Sequence, residues 1–278
     1  MVRRQSYIWR IFFTGVCFAL FGIGGLILGL LVFPVVLLLP GAPARRRTRT
    51  RSLVQRAFRL FVATMSGLRC IDYEFRGAGR LGRPGQLIVA NHPTLIDVVL
   101  IVAFTPAPAC VVKAALFANP FTRRVVRAAG YISNAPTDAM IEGAVDSLRS
   151  GDALVMFPEG TRTRQGQPMQ FHRGVARVAV QGASVLTPVY ISVDQPFLQK
   201  SQPWYRPPPR RPMLVVEVGD DVDLGPYRDL PAPRASRLLN QWLLAHYERE
   251  LAGRRGYNES RDRVHGEPEQ DTSRSPAH

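Results

Sequence analysis

Apolar and polar positions divide the chain into stretches of different period. From Ile11 to Ala44 no residue is charged, and the run IFFTGVCFALFGIGGLILGLLVFPVVLLLPGAPA is apolar almost throughout. A helix crosses a bilayer with roughly 20 such residues, so residues 1–44 predict an N-terminal membrane anchor. Two forms fit: one tilted span with an apolar extension, or a re-entrant pair of half-helices bent near Gly22, Gly24, Gly25, Gly29 and Pro34. The run is too long for a cleaved signal peptide, and RRRTRTR follows it instead of a polar mature start. Arginines on both flanks favour both ends on the cytoplasmic side, and for a single span the heavier C-terminal cluster keeps the main domain inside. Residues 45–70 then change period. Val54, Phe58, Phe61, Val62, Met65 and Leu68 recur at helical spacing, while Arg51, Gln55, Arg56 and Arg59 fall mostly off that face. This predicts a basic amphipathic helix, packed on the globular domain, or lying in the interface with its arginines on anionic head groups.

Between residues 71 and 253 short apolar runs alternate with helical ones. Strands are predicted at Asp72–Phe75, Gln86–Asn91, Ala109–Lys113, Gly130–Ser133, Ala153–Phe157, Val185–Ser192 and Met213–Val218. Helices are predicted at Pro93–Phe104, Ala114–Ala129, Asp138–Arg149, Gly174–Gly182 and Arg234–Leu251. The alternation argues for an α/β domain with a largely buried sheet flanked by helices. Residues 254–278 balance five arginines against five acids and offer little to bury, so a disordered tail is expected there.

The whole chain of 278 residues carries a formal charge of +15, which first suggests a nucleic-acid binder. Its distribution argues otherwise. Residues 1–71 hold eleven arginines and no acid, the tail is neutral, and the domain between them carries only +4. The basic character therefore belongs to the anchor and suits anionic membrane lipids, and no nucleic-acid partner is expected. Cys17, Cys70 and Cys110 are odd in number and widely spaced, so neither a disulfide nor a structural metal is expected.

Chemistry concentrates at two strand ends. In LIVANHPTLIDVVL the apolar strand stops at Asn91-His92-Pro93, with Asp97 five positions beyond His92. Within one regular helix that spacing leaves the two side chains about 140° out of phase, so they can meet only if His92 lies outside the helix. A carboxylate on one ring nitrogen fixes the tautomer and leaves the other nitrogen to take a hydroxyl proton. The bland alternative is a capping histidine and an aspartate held by the helix dipole. In ALVMFPEGTRTRQG a strand ends in the turn Phe157-Pro158-Glu159-Gly160-Thr161-Arg162, where an acid can hold a hydroxyl and a guanidinium a phosphate, or the two can form an ordinary solvated turn. GxSxG, GxxxxGK[ST] and HExxH are all absent, which removes the usual signals of serine hydrolases, phosphate-loop enzymes and zinc proteases.

Together these segments resemble the lysophospholipid acyltransferase family, typified by 1-acylglycerol-3-phosphate acyltransferase. Asn91 to Asp97 is similar to its NHxxxxD block, and Phe157 to Arg162 to its FPEGTR block. Val112-Lys113 with Leu116 and Pro120, Gly130-Tyr131-Ile132, Phe171-His172-Arg173-Gly174 and Thr187-Pro188-Val189 follow the family's order. The resemblance implies a mixed α/β sheet flanked by helices and a membrane-bound O-acyltransferase. It moves a fatty acyl group from an acyl carrier protein or coenzyme A thioester to a lysophospholipid hydroxyl, without metal or cofactor. By the same resemblance His92 is the general base and Asp97 its orienting partner. Glu159, Gly160, Thr161 and Arg162 bind the acceptor, Lys113 and Arg173 add positive charge near its phosphate, and His172 is a bystander. The implied site is the cytoplasmic face of a bacterial inner membrane. Where the family continues as Phe-Ile-x-Arg, this chain has Tyr131-Ile132-Ser133-Asn134, and Asn134 cannot neutralise a phosphate. An acceptor such as an ornithine-type lipid is therefore a second expectation. A thioesterase using water in place of the lipid hydroxyl, and a membrane-tethered nucleic-acid binder, are the rivals of other classes.

Overall fold

In the computed structural model of the chain, residues 2–135, 137–163, 167–200, 202–203 and 205–266 are described. In chain order the elements are α1 (Val2–Ile27), α2 (Phe33–Leu38), α3 (Pro43–Gly67), β1 (Asp72–Arg76), β2 (Gln86–Ala90), α4 (Asp97–Phe104), β3 (Ala109–Val112), α5 (Ala115–Ala118), α6 (Arg123–Ala128), β4 (Ile132–Ser133), α7 (Asp138–Arg149), β5 (Leu154–Met156), α8 (Gly174–Gly182), β6 (Val185–Val193), β7 (Met213–Val218), α9 (Gly225–Arg228) and α10 (Ala232–Gly266).

One seven-stranded sheet runs β1-β7-β6-β2-β5-β3-β4. Strands β6, β2, β5, β3 and β4 are parallel, while β7 pairs antiparallel with β6 and carries β1 alongside it. The sheet is thus mixed. β2 is buried at every position, as a strand covered on both faces must be. Alternation sorts its residues: Ile88 and Ala90 join α1, α3 and α4, whereas Leu87 and Val89 join α7, α8 and α10. The chain leaves β2 toward β3 on one side and β5 toward β6 on the other, so the carboxyl ends of β2 and β5 flank a topological switch point, where α/β sheets bind ligands.

The apolar run follows one continuous helical path rather than two half-helices: α1 continues through a π-turn at Leu28–Val32 into α2. Pro34 lacks the N–H that the helix would use there, and the wider turn before it absorbs the missing bond. Tyr7–Val36 is long and apolar enough to cross a membrane. Yet it touches the domain along its length. Arg10 donates to the Pro209 carbonyl at 2.6 Å, Cys17 is buried in the same core as Val62 and Met65, and Phe33 packs with Val54 and Val102. The opposite face leaves Ile8, Phe12, Leu20, Ile23, Leu31 and Leu38 exposed. The helix expected within residues 45–70 spans Pro43–Gly67, and Arg51, read as lying off the apolar face, is buried against Asp152 at 2.6 Å and the Ala129 carbonyl at 2.8 Å.

Three further boundaries moved for local reasons. The helix expected over Ala114–Ala129 is two short ones, because Pro120 holds Asn119 extended. The helix expected from Pro93 begins only at Asp97. The terminal helix expected to stop at Leu251, before a disordered tail, continues to Gly266, with Arg254 paired to Glu250 one turn back. Residues 267–278, and Trp204 of the proline-rich connection, lie outside the described residues.

Candidate active site

Strand β2 hands over to its turn through Asn91, whose side chain acts as one more rung of the ladder. Its amide donates to the Ile191 carbonyl and its oxygen accepts from the Ile191 N–H, both at 2.8 Å. With the strand end fixed, residues 92–96 form a tight turn, and His92 lies outside the helix, as contact with Asp97 requires. His92 Nδ1 is 2.8 Å from Asp97 Oδ2. Asp97 is fully buried and also accepts from the Thr94 N–H at 2.6 Å and the Thr94 hydroxyl at 2.5 Å. A carboxylate already receiving two donors accepts a third, so Nδ1 carries the proton and Nε2 keeps its lone pair. The His92 side chain is 14% exposed. The arrangement can hold a hydroxyl at Nε2, take its proton, and stabilise the resulting imidazolium.

The second turn is bolted to the first. The buried Glu159 carboxylate accepts from the His92 main-chain N–H at 2.9 Å and from the Thr163 hydroxyl at 2.9 Å. The Thr163 N–H donates to the His92 carbonyl at 2.8 Å. Burial strips water from Glu159 and raises its pKa, an effect only partly offset by the N–H of His92 and the hydroxyl of Thr163. Gly160 sits at φ +63°, and a Cβ there would come within 3.1 Å of the His172 ring. Glycine therefore meets both a backbone and a packing demand.

Arg162 points elsewhere than the phosphate reading expects. Its Nη1 donates to the carbonyls of Leu198 and Gln199, at 2.8 and 3.1 Å. Leu198 also accepts from the Leu95 N–H at 3.1 Å and holds a left-handed φ of +49°, so the β6–β7 connection is clamped onto both turns. Lys113 is exposed just beyond β3 and Thr161 is exposed in its turn. The Asn134 amide oxygen accepts from the Ala114 N–H at 3.0 Å. Arg173 and His172 are exposed on the rim of a groove of about 1110 Å³, which Asn134, Gly160 and Phe157 also line. The Phe157 ring is 4.5 Å from that of His92.

The structure thus joins His92, Asp97 and Glu159 directly, sets Gly160, His172, Arg173 and Asn134 along the neighbouring groove, and leaves Lys113 outside its lining. Asn91, Thr94 and Thr163 were missed as functional residues. A hydroxyl three positions before Asp97 was the available signal for Thr94; nothing local marks Thr163, whose partner is distant in sequence.

Residues 72–192 match the family model described as acyltransferase. Among curated proteins, the chain is similar to mouse 1-acyl-sn-glycerol-3-phosphate acyltransferase alpha, 27% identical over 73% of each chain. It is also similar to Pseudomonas aeruginosa lyso-ornithine lipid O-acyltransferase, 29% identical over 50% of this chain and 55% of that one. In fold it is similar to the crystal structure of the 1-acyl-sn-glycerophosphate (LPA) acyltransferase PlsC from Thermotoga maritima, with a TM-score of 0.66 at 19% identity, over 90% of this chain and 98% of that one.

Proposed function

Through its domain at residues 72–192 the chain belongs to the acyltransferases, and from that premise we propose that it esterifies a lysolipid hydroxyl with a fatty acyl group taken from a thioester. The observation that carries this reading is the 2.8 Å contact of His92 Nδ1 with the buried Asp97, which leaves Nε2 as the ring nitrogen free of that bond. In the proposed step the acceptor O–H gives its proton to Nε2 while its oxygen attacks the thioester carbonyl. The tetrahedral intermediate then breaks its C–S bond, and the departing sulfur takes the proton back from the imidazolium. Ester and free thiol leave, and the enzyme returns to its starting protonation without a covalent intermediate. Glu159 and Thr163 hold the two turns in register for this step.

For the acceptor, a lysophosphatidate-like lipid is the first reading, in keeping with the names of several relatives. A second, a lyso-ornithine lipid, is supported by the name of one relative. The exposed apolar face of α1 and α2, with the exposed Arg45, Arg49, Arg123 and Arg124 on the helices α3 and α6 that α2 packs against, supports a seat on an anionic bilayer, proposed as the cytoplasmic leaflet of a bacterial inner membrane. Because α1 packs on the domain at Arg10 and Cys17, and α2 at Phe33, an in-plane seat fits better than a free span.

The test supplies purified protein with palmitoyl thioesters of coenzyme A and of acyl carrier protein, together with a mixed lysolipid pool, and identifies products by mass spectrometry. Transfer to lysophosphatidate above all other acceptors supports the first reading, and preference for a lyso-ornithine lipid supports the second. Acceptor-independent release of free fatty acid means a thioesterase.

A further inference from the structure

The groove beside Phe157 opens on the layer of α7, α8 and α10, whereas α1, α3 and α4 cover the other face of the sheet. We propose that this groove binds the acyl donor as a phosphopantetheine thioester, and that the lipid acceptor reaches His92 from the opposite, α1-bearing side. The proposal rests on the acyl-transfer reading above and adds to it a place for one substrate.

Three observations converge. The first is shape: at about 1110 Å³ the groove has room for an extended arm with part of its acyl chain, and Val111, Met140, Ile141 and Met156 give it an apolar floor. The second is charge. Arg173 and Arg177 stand at the rim, and the partner of Arg177, Asp138 at 3.1 Å, is largely exposed. An ion pair between solvent-exposed groups is weak, and Arg177 makes it through one nitrogen to one oxygen, so its fork can take a phosphate bidentately. The third is position. Phe157 lines the groove and its ring, tilted, lies 4.5 Å from that of His92, so the Phe157 end of the groove is the one from which a thioester reaches the base. The exposed apolar residues of α1 belong to the other side of the sheet, which is where a lipid dissolved in a bilayer arrives. A water-soluble thioester must come from the aqueous side, and the groove is there. Arg173, which the resemblance gave to the acceptor, is thereby assigned to the donor.

The test uses the full-length protein with vesicles of phosphatidylcholine containing lysolipid, and measures donor and acceptor KM separately for wild type, Arg177→Glu, Arg177→Gln and Arg173→Gln. The neutral variants keep the test valid should an acid beside Asp138 disturb α8. Loss of a charge-assisted contact is expected to raise the donor KM roughly tenfold while the acceptor KM stays within about twofold. Run with palmitoyl-coenzyme A and palmitoyl-carrier protein in turn, an effect on both donors locates the contact at the pantetheine phosphate, and an effect on coenzyme A alone at its nucleotide phosphates. Met140→Trp, which fills the floor, is expected to weaken the same substrate. In a second arm, the non-reactive S-palmityl thioether of coenzyme A is titrated into His92→Ala with and without Arg177→Glu. If acyl transfer proceeds and donor KM ignores all of these substitutions, or if acceptor KM rises instead, the groove assignment is overturned and the acyl-transfer reading stands. If no acyl transfer occurs but the thioether binds in an Arg177-dependent way, that reading fails and the groove assignment survives.

Discussion

Strands β2 and β6 carry a polar network at each end, and the two networks differ in one respect that sets the candidate site apart from architecture. At the amino end Gln86, buried completely, places its oxygen on the N–H groups of Gly82 and Arg83 and its nitrogen on the Thr187 hydroxyl and the Arg80 carbonyl. Thr187 in turn donates to Asp221, which Arg83 grips with two nitrogens at 2.6 and 2.7 Å. That network leaves over the buried Arg83 Nε, a donor with no lone pair to give. At the carboxyl end Asn91, Thr94, Asp97 and Glu159 are as thoroughly bonded, but their bonds converge on a histidine whose second nitrogen is left over. The carboxylates report the same contrast. Burial raises the pKa of Glu159, whereas the Arg83 guanidinium lowers that of Asp221. Neither burial, nor ion pairing, nor an unused donor sets the candidate site apart; an oriented group with an unused lone pair does.

Substitutions at the two ends should therefore move different observables. The largest effect is expected from His92→Ala, a loss of about 10²-fold or more in kcat with a melting temperature close to wild type, read by product formation and calorimetry. Near-normal turnover by this folded variant would remove the base assignment and break the comparison. Asp97→Asn should cost roughly 10- to 10²-fold in kcat, because the ring loses its orienting acceptor. It should also destabilise by about 1–3 kcal/mol, since the buried amide cannot accept all three donors. Thr187→Val at the other end should reverse that balance. Denaturant unfolding is expected to show a loss of about 1–3 kcal/mol from the stranded Gln86 and Asp221 groups, while kcat and both KM values hold.

The smallest effects lie in pH dependence and carry opposite signs. Glu159 has a raised pKa in the fold, so its contribution to stability is present below the unfolded value of about 4.3 and is lost as pH rises through the folded value. Glu159→Gln should then melt slightly higher than wild type at pH 7, with the gap closing on acidification. Asp221 has a lowered pKa, so its contribution is present above the unfolded value of about 3.9 and is lost as pH falls through the folded one. Asp221→Asn should melt lower at pH 7 and converge with wild type in acid. Matching trends in thermal scans of the two variants would show that the ends are electrostatically alike.

Much of the carboxyl-end site was legible because its determinants are local. The five-residue spacing from His92 to Asp97 forbids contact within a helix and so forces the turn that the structure contains. The Phe157–Arg162 turn follows from a strand ending in proline and glycine. The seven strands were recoverable from apolar runs, most ends falling within a residue or two of those observed. What could not be read depends on partners remote in sequence. Arg162 turns to carbonyls of the β6–β7 connection, Arg51 is buried because Asp152 and Ala129 lie across from it, and Asn134 holds the Ala114 N–H. Of the block Thr187-Pro188-Val189, which follows the family's order, Thr187 belongs to the network at the amino end of β6, away from His92.

The grip of Arg10 on the carbonyls of Pro208 and Pro209 bears on how this enzyme can be made soluble. Trimming the first forty or so residues is the usual remedy for an apolar N-terminus. Here it would bare Val62, Met65 and Cys70, and free one end of the same connection whose other end anchors Arg162 through Leu198. A better-behaved protein is to be sought by replacing outward-facing residues such as Phe12, Leu20 and Leu31 with polar ones, leaving the inward face of α1 in place.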